Sequence, residues 1–222
     1  MVQNLDLDLS TSVALTNQNT DLNSKASWTP QNSTQTTTGT VWAEGGSDGV
    51  RSIDPGNIYF PNGIGTGTAD SIRNLQGSTS GQPWEFIGNY YNWPAATAGS
   101  GTAATIAPAV AADSICPKGW KLPDNEGAKS FINLIYTTYG LQDGDVVSSD
   151  KILAAPLNFV RAGYYSGWSG KISWKGAYGY WWSSTAGSSA LKAYSVSTTN
   201  GWVRTQAPDD KSYGFTLRCV AR

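Results

Sequence analysis

At 222 residues, with 15 basic against 16 acidic side chains and a net charge of −1, the chain can build a sizeable core. It offers no overall attraction to nucleic acid or anionic lipid. Histidine is absent, which removes Ser-His-Asp hydrolysis, Cys-His proteolysis, imidazole-ligated zinc and haem, and the usual neutral-pH general base. Charged residues are only 14% while 25 are glycine and 10 proline, a balance that reads as strand, turn and loop.

In chain order, Leu5-Asp6-Leu7-Asp8-Leu9 alternates apolar and acidic residues and predicts a half-buried strand. Residues 10–40 carry 14 Ser or Thr among 31, a surface insertion or extended loop. Turn signals crowd 45–81: Gly-Gly, Asp-Pro-Gly, Pro-Asn-Gly and Gly-Thr-Gly. A short aromatic strand or turn is expected at Ile87–Trp93, then a flexible Ala/Thr/Gly connector over 95–112. The uncharged stretch Phe86–Ala112 is broken by Gly88, Pro94, Gly99, Gly101 and Pro108, so no insertion into a membrane is expected. Met1 leads into Val2-Gln3-Asn4-Leu5 with no basic segment or long apolar run, so any export signal is expected outside this sequence.

One helix is well marked, at about 124–139: Pro123-Asp124 supplies a stop and an N-cap, and Glu126 sits in the first turn. Ala128, Phe131, Leu134, Ile135 and Thr138 follow at helical spacing, and Gly140 closes the end. Short strands are predicted at 157–162, 171–174, 180–184, 193–198 and 214–221, separated by Gly-rich loops. The sum is one α+β domain, 1–222, with long loops and short antiparallel strands.

Charge and aromatic content are both uneven. Residues 1–112 carry 3 bases against 8 acids, and 113–222 carry 12 against 8, scattered and without a Lys/Arg block. Nucleic acid is therefore not an expected partner. Five of the 10 Trp and six of the 11 Tyr fall between Tyr164 and Tyr213. A core accounts for part of them; Trp and Tyr are also the residues of binding hot spots. The two cysteines, Cys116 and Cys219, form neither a CxxC pair nor half of a zinc site. One disulfide in an oxidising compartment is the expectation, two unrelated buried thiols the alternative.

Ile115-Cys116-Pro117-Lys118-Gly119-Trp120-Lys121-Leu122-Pro123 resembles the CPxGWRLP box that precedes a helix in one bacterial group. Ala155-Pro156-Leu157-Asn158-Phe159-Val160, Gly179-Tyr180-Trp181-Trp182-Ser183-Ser184-Thr185 and Gly214-Phe215-Thr216-Leu217-Arg218-Cys219-Val220 follow in that order. Val2–Leu5 and Gly88–Trp93 fit the earlier boxes, with the first strand missing. Together these resemble the Fibrobacter succinogenes major paralogous domain, of C-type lectin-like fold, in the branch shared with formylglycine-generating enzymes. The resemblance implies a Cys116–Cys219 pair, Trp120 and Trp182 as fold residues, and a structural hydrogen-bonded contact for Arg218. It also leaves no thiol for formylglycine chemistry, so no enzyme is expected.

Sugar-binding C-type lectins hold calcium through Glu-Pro-Asn or Gln-Pro-Asp with Trp-Asn-Asp. Here Gln82-Pro83-Trp84 and Trp182-Ser183-Ser184 lack the carboxylate. No cofactor is predicted; Asp143, Asp145 and Asp150 read as an acidic turn ahead of a structural calcium site.

The C-terminal segment is also similar to the variable proteins of diversity-generating retroelements, in which fixed strand boxes frame aromatic, Gly/Ser-punctuated stretches. That composition is paratope-like. The resemblance implies a non-enzymatic ligand-binding module, secreted or at the cell surface, with its ligand on the aromatic segment 157–222. Candidate binding residues are Tyr165, Trp168, Trp174, Tyr178, Trp181 and Trp202, with Lys171, Lys175 and Arg204 at the rim. A protein ligand is expected ahead of a glycan. An enzyme of the formylglycine-generating branch and a structural adhesin segment are the alternatives.

Overall fold

Two adjacent tryptophans on one strand, facing opposite ways, set the plan of the molecule. The computed structural model describes residues 4–5, 7, 14–28, 50–51, 90–101, 105–106, 109–125, 130–141, 152, 156–157, 159–166, 171–174, 177–198 and 202–222. In chain order β1 (Leu15–Thr16) pairs with β2 (Ser27–Trp28), and β3 (Val50–Arg51) with β4 (Tyr90–Tyr91). Helix α1 (Trp93–Ala96), β5 (Trp120–Lys121) and helix α2 (Phe131–Tyr139) follow. Next come the pair β6 (Tyr164–Ser166) and β7 (Lys171–Ser173), then β8 (Gly179–Ala186), β9 (Lys192–Thr198) and β10 (Val203–Asp210). The last three form an antiparallel sheet in the order β10-β9-β8, and β11 (Val220–Ala221) returns to pair with β5. The class is α+β, strand-rich. No helix of the described residues is long and apolar enough to cross a membrane.

Successive side chains on a strand point to opposite faces. Trp182 of β8 accordingly enters a core built from Tyr91, Trp93, Ile115, Phe215, Leu217 and the two cysteines. Its indole N–H donates to the Tyr91 carbonyl at 2.8 Å. Trp181 enters the opposite core, with Phe131 and Ile135 of α2, Phe159, Val196 and Val203. There its indole N–H donates to Asn4 Oδ1 at 3.1 Å. Burying a side chain of this size contributes on the order of 2–3 kcal/mol.

Cys116 and Cys219 form a disulfide with Cα atoms 5.9 Å apart, tying the β5 approach to the β11 approach. Next to Cys219 in the chain is buried Arg218, whose Nε donates to Asn4 Oδ1 at 2.9 Å and whose Nη1 donates to the Leu157 carbonyl. Its guanidinium sits 4.5 Å over the Phe159 ring.

Several elements depart from the sequence reading. The helix begins at Phe131, capped by Ser130 Oγ accepting from the Asn133 N–H at 3.1 Å, and not at Asp124. The Asp124 carboxylate is engaged elsewhere, by Ser184 Oγ at 2.7 Å and Lys121 Nζ at 2.5 Å. Gly140 ends the helix at φ 65°, as expected. In 157–162, Leu157 and Phe159–Ala162 carry no strand: Leu157, Phe159, Val160 and Ala162 are buried, and their partners are not a ladder. Tyr90 Oη donates to the Ala162 carbonyl there, and the Phe159 N–H to the Ile152 carbonyl.

The connector expected at 95–112 holds core residues instead. Ala95, Ala96, Thr97 and Ala98 are buried, the first two within α1, whose N-cap Asn92 Oδ1 accepts from the Ala95 N–H. In 214–221 the continuous strand is limited to β11, the Gly214–Thr216 residues making isolated bridges. Strand β10 falls where a loop was expected. Pro208 and the register shift between Arg204 and Ala207 disguise it in the sequence, and both are tolerated because it lies at the edge of the sheet. At the N-terminus Leu5 and Leu7 are half-buried as the alternation predicts. The Leu5 N–H donates to the Leu217 carbonyl and the Leu7 N–H to Tyr91 Oη, with no strand assigned to either.

Candidate functional site

On the Trp182 side of the central sheet the aromatic rings do not stop at the core. Trp182 stacks on Phe215 at 4.1 Å, Phe215 on Tyr180 at 4.8 Å, and Tyr180 on Tyr178 at 5.9 Å with an 11° interplanar angle. Tyr178 then meets Trp174 at 5.0 Å and Trp202 at 6.3 Å, both close to perpendicular. Tyr164 flanks the run, 5.4 Å from Tyr180 and 5.1 Å from Tyr213. Burial falls steadily outward, from Trp182 with no exposure through half-buried Tyr180, Tyr178 and Trp202 to Trp174 at 58%. Each such ring pair adds about 0.5–1.5 kcal/mol beyond area burial, so the outer rings stand on a rigid base.

Strand register supplies the polar neighbours. Tyr180 of β8 lies opposite Ser197 of β9, which lies opposite Arg204 of β10, and all three share one face. The exposed Arg204 guanidinium lies 4.7 Å over the Trp202 ring and makes no ion pair among the described residues. One row on, Ser195 Oγ donates to Asp209 at 2.5 Å. Burial pushes the Asp209 carboxyl above its ordinary value, against the Ser195 hydrogen bond. Burial, then the charge of Asp209, raises the Tyr180 phenol well above its ordinary value, so it remains a proton donor at any moderate pH. Such a face offers broad aromatic contact, phenol donors and one cation.

Of the residues expected to bind, Trp174, Tyr178, Trp202 and Arg204 are brought together here. Tyr165 and Trp181 are corrected to interior positions, 4% and 0% exposed, because a docking side chain must reach solvent. Tyr165 exchanges two backbone hydrogen bonds with Gly214, and Trp181 faces α2. Lys171 has its backbone in β7, opposite Ser166. Its side chain, together with Trp168 and Lys175, lies outside what is described, as do Asp143, Asp145, Asp150 and Gln82-Pro83-Trp84.

Sequence reasoning did not single out Tyr164, Tyr180, Tyr213 or Asp209. The signal for Tyr180 was present: in Gly179-Tyr180-Trp181-Trp182 strand alternation puts Tyr180 on the face opposite Trp181.

A shallow cleft of about 250 Å³ lies elsewhere, lined in part by Asp21, Asp113, Lys121, Asp124, Ser184 and Arg222. Its charges are paired internally: Arg222 with Asp21 at 2.5 Å, Lys25 with Asp113 at 3.5 Å, Lys121 with Asp124 at 2.5 Å. Burial raises the Asp21 carboxyl while Arg222 and Ser114 lower it. Among the described residues no three Cys, Asp or Glu side chains converge closely enough to hold a metal ion.

The chain matches no known family model, no curated protein and no solved structure.

Proposed function

We propose that the chain is a non-enzymatic ligand-binding module of C-type lectin-like fold, displayed at a cell surface or secreted. In this reading it is a variable protein of a diversity-generating retroelement. The observation that carries the reading is the outward aromatic run Tyr180–Tyr178–Trp174 with Trp202 and Arg204, set on the edge of a sheet and backed by the core. Desolvated Trp, Tyr and Arg anchors are the groups that dominate binding energy.

The framing fits diversification. Exposed substitutions change stability by about ±0.5 kcal/mol, while the disulfide and the buried Trp182–Phe215 stack hold the backbone behind them. Both cysteines are in the disulfide, which speaks against the formylglycine-generating alternative, whose chemistry needs a thiol.

The gene's neighbourhood tests the retroelement part. A near-identical template repeat differing at adenines beside a reverse transcriptase is the expected finding, and a locus with neither leaves the plain binding module. Titration of native protein with a thiol reagent is expected to find none, and two reactive thiols would restore the enzyme reading.

A further inference from the structure

The most exposed large apolar side chain of the described residues sits on a backbone that disfavours it. Trp174 is 58% exposed and holds φ at 61°, in the left-handed region that bulky side chains rarely enter. The conformation is fixed locally, since the N–H groups of Ala177 and Tyr178 both donate to the Trp174 carbonyl, at 3.1 and 3.0 Å. Among the described residues the indole belongs to neither core and meets the aromatic run through the Tyr178 ring. Folding alone favours glycine or asparagine at such a position. A strained backbone that presents a solvated indole is the kind of outlier that marks a ligand clamp.

On the reading that this face binds a ligand, we propose that Trp174 is the anchor of a protein–protein contact. It enters an indole-sized apolar pocket of a folded partner that sets a carboxylate against Arg204. Two features choose this occupant over a glycan. A mostly exposed indole on a turn is convex and is fully desolvated only by a partner that brings the concavity, which a folded protein does and a sugar does not. Arg204, exposed, without an ion pair among the described residues and seated over Trp202, leaves a cation on the same aromatic run, beyond Tyr178 from the anchor, for a partner's acid.

The experiment screens the full chain on an array of purified folded proteins and on a glycan array. Hits are then re-measured with Trp174→Gly, Arg204→Glu, Tyr178→Ala and Trp202→Ala. The expected result is protein hits that Trp174→Gly weakens by about thirtyfold or more. Arg204→Glu should weaken them several-fold, chiefly in a salt-dependent on-rate. Trp174→Gly should meanwhile melt no lower than the parent, because the left-handed strain that glycine relieves offsets the lost ring contact with Tyr178. A melting point several degrees lower would make the indole structural and overturn the anchor. Hits that survive Trp174→Gly but fail with Tyr178→Ala or Trp202→Ala overturn the anchor and keep the binding face. Glycan hits lost with Trp174→Gly overturn the partner class. Hits insensitive to all four variants, or no hit on either array, overturn both the anchor and the binding reading.

Discussion

Asn4 is a small residue serving two large ones. Its Oδ1 accepts from the Trp181 indole at 3.1 Å and from the Arg218 guanidinium at 2.9 Å, all three residues being buried. Removing that oxygen takes an acceptor from a buried charge and a buried indole at once. Asn4→Ala is expected to cost about 3–5 kcal/mol in denaturant unfolding. Asn4→Asp, which keeps an acceptor oxygen and adds a charge opposite Arg218, should recover most of the loss. Equal losses from the two variants would show that the amide acts through something other than acceptance.

Lys211 is buried, donating to the carbonyls of Thr105 at 2.5 Å and Ala190 at 2.8 Å, with its ammonium 4.6 Å over Trp93. Burial lowers its pKa from 10.5 to about 8. The unfolded chain therefore binds more protons than the folded one between these values, and stability rises with pH through that window. Burial moves the phenols of Tyr90 and Tyr180 the other way, so the unfolded chain loses their protons first and stability falls above about pH 10. Urea unfolding across pH 7.5–11 should show a maximum near pH 10. Lys211→Met should flatten the rising limb, and a rise that persists in that variant would assign it to another group.

Strand β8 is the element on which the layout turns. In β8, Gly179 precedes Tyr180, Trp181 and Trp182, and a Cβ built on it would lie 2.2 Å from the Trp181 ring. Gly179→Ala must therefore move a fully buried indole out of its place against Phe159 and α2. The expected loss is about 2–3 kcal/mol, with the near-ultraviolet dichroism of the Trp181 environment altered. An unchanged spectrum and midpoint would show that the ring is free to shift.

Elements with strong local pattern were legible in the residues: the Gly140 stop, the alternating strands β8 and β9, and the short β7. Those that failed did so for identifiable reasons. Asp124 has the chemistry of an N-cap, but Ser184 and Lys121 claim its carboxylate, and the cap passes to Ser130. Phe159, Val160 and Ala162 are apolar to suit a buried segment, and not because they pair in a sheet. Strand β10 carries Pro208, Asp209 and Asp210, a composition that local propensity assigns to a loop and an edge position allows.

At the scale of the whole molecule, the Cys116–Cys219 bond spans 103 residues of sequence and joins the two segments that pair as β5 and β11. In the chain-entropy account, closing a loop of about this length contributes about 4–5 kcal/mol. The Cys116→Ser/Cys219→Ser double variant should lose stability of that order by chemical denaturation, with a larger m-value as the unfolded chain expands. A loss below about 1 kcal/mol would mean that native packing alone holds those segments together.

The sequence by itself determined the strand-and-loop class, the absence of imidazole chemistry, the count of two cysteines and the crowding of aromatic rings from residue 164 onward. Composition and short-range periodicity carry all of these. Only the tertiary structure decided which rings face solvent. Trp181 and Tyr165 are interior while Trp174, seven residues before Trp181 in the chain, stands out into water. The reason is that a side chain on a sheet is buried or exposed by what covers its face. Helix α2 and Phe159 cover the Trp181 face through contacts distant in sequence, and no local pattern encodes which face a distant helix will take.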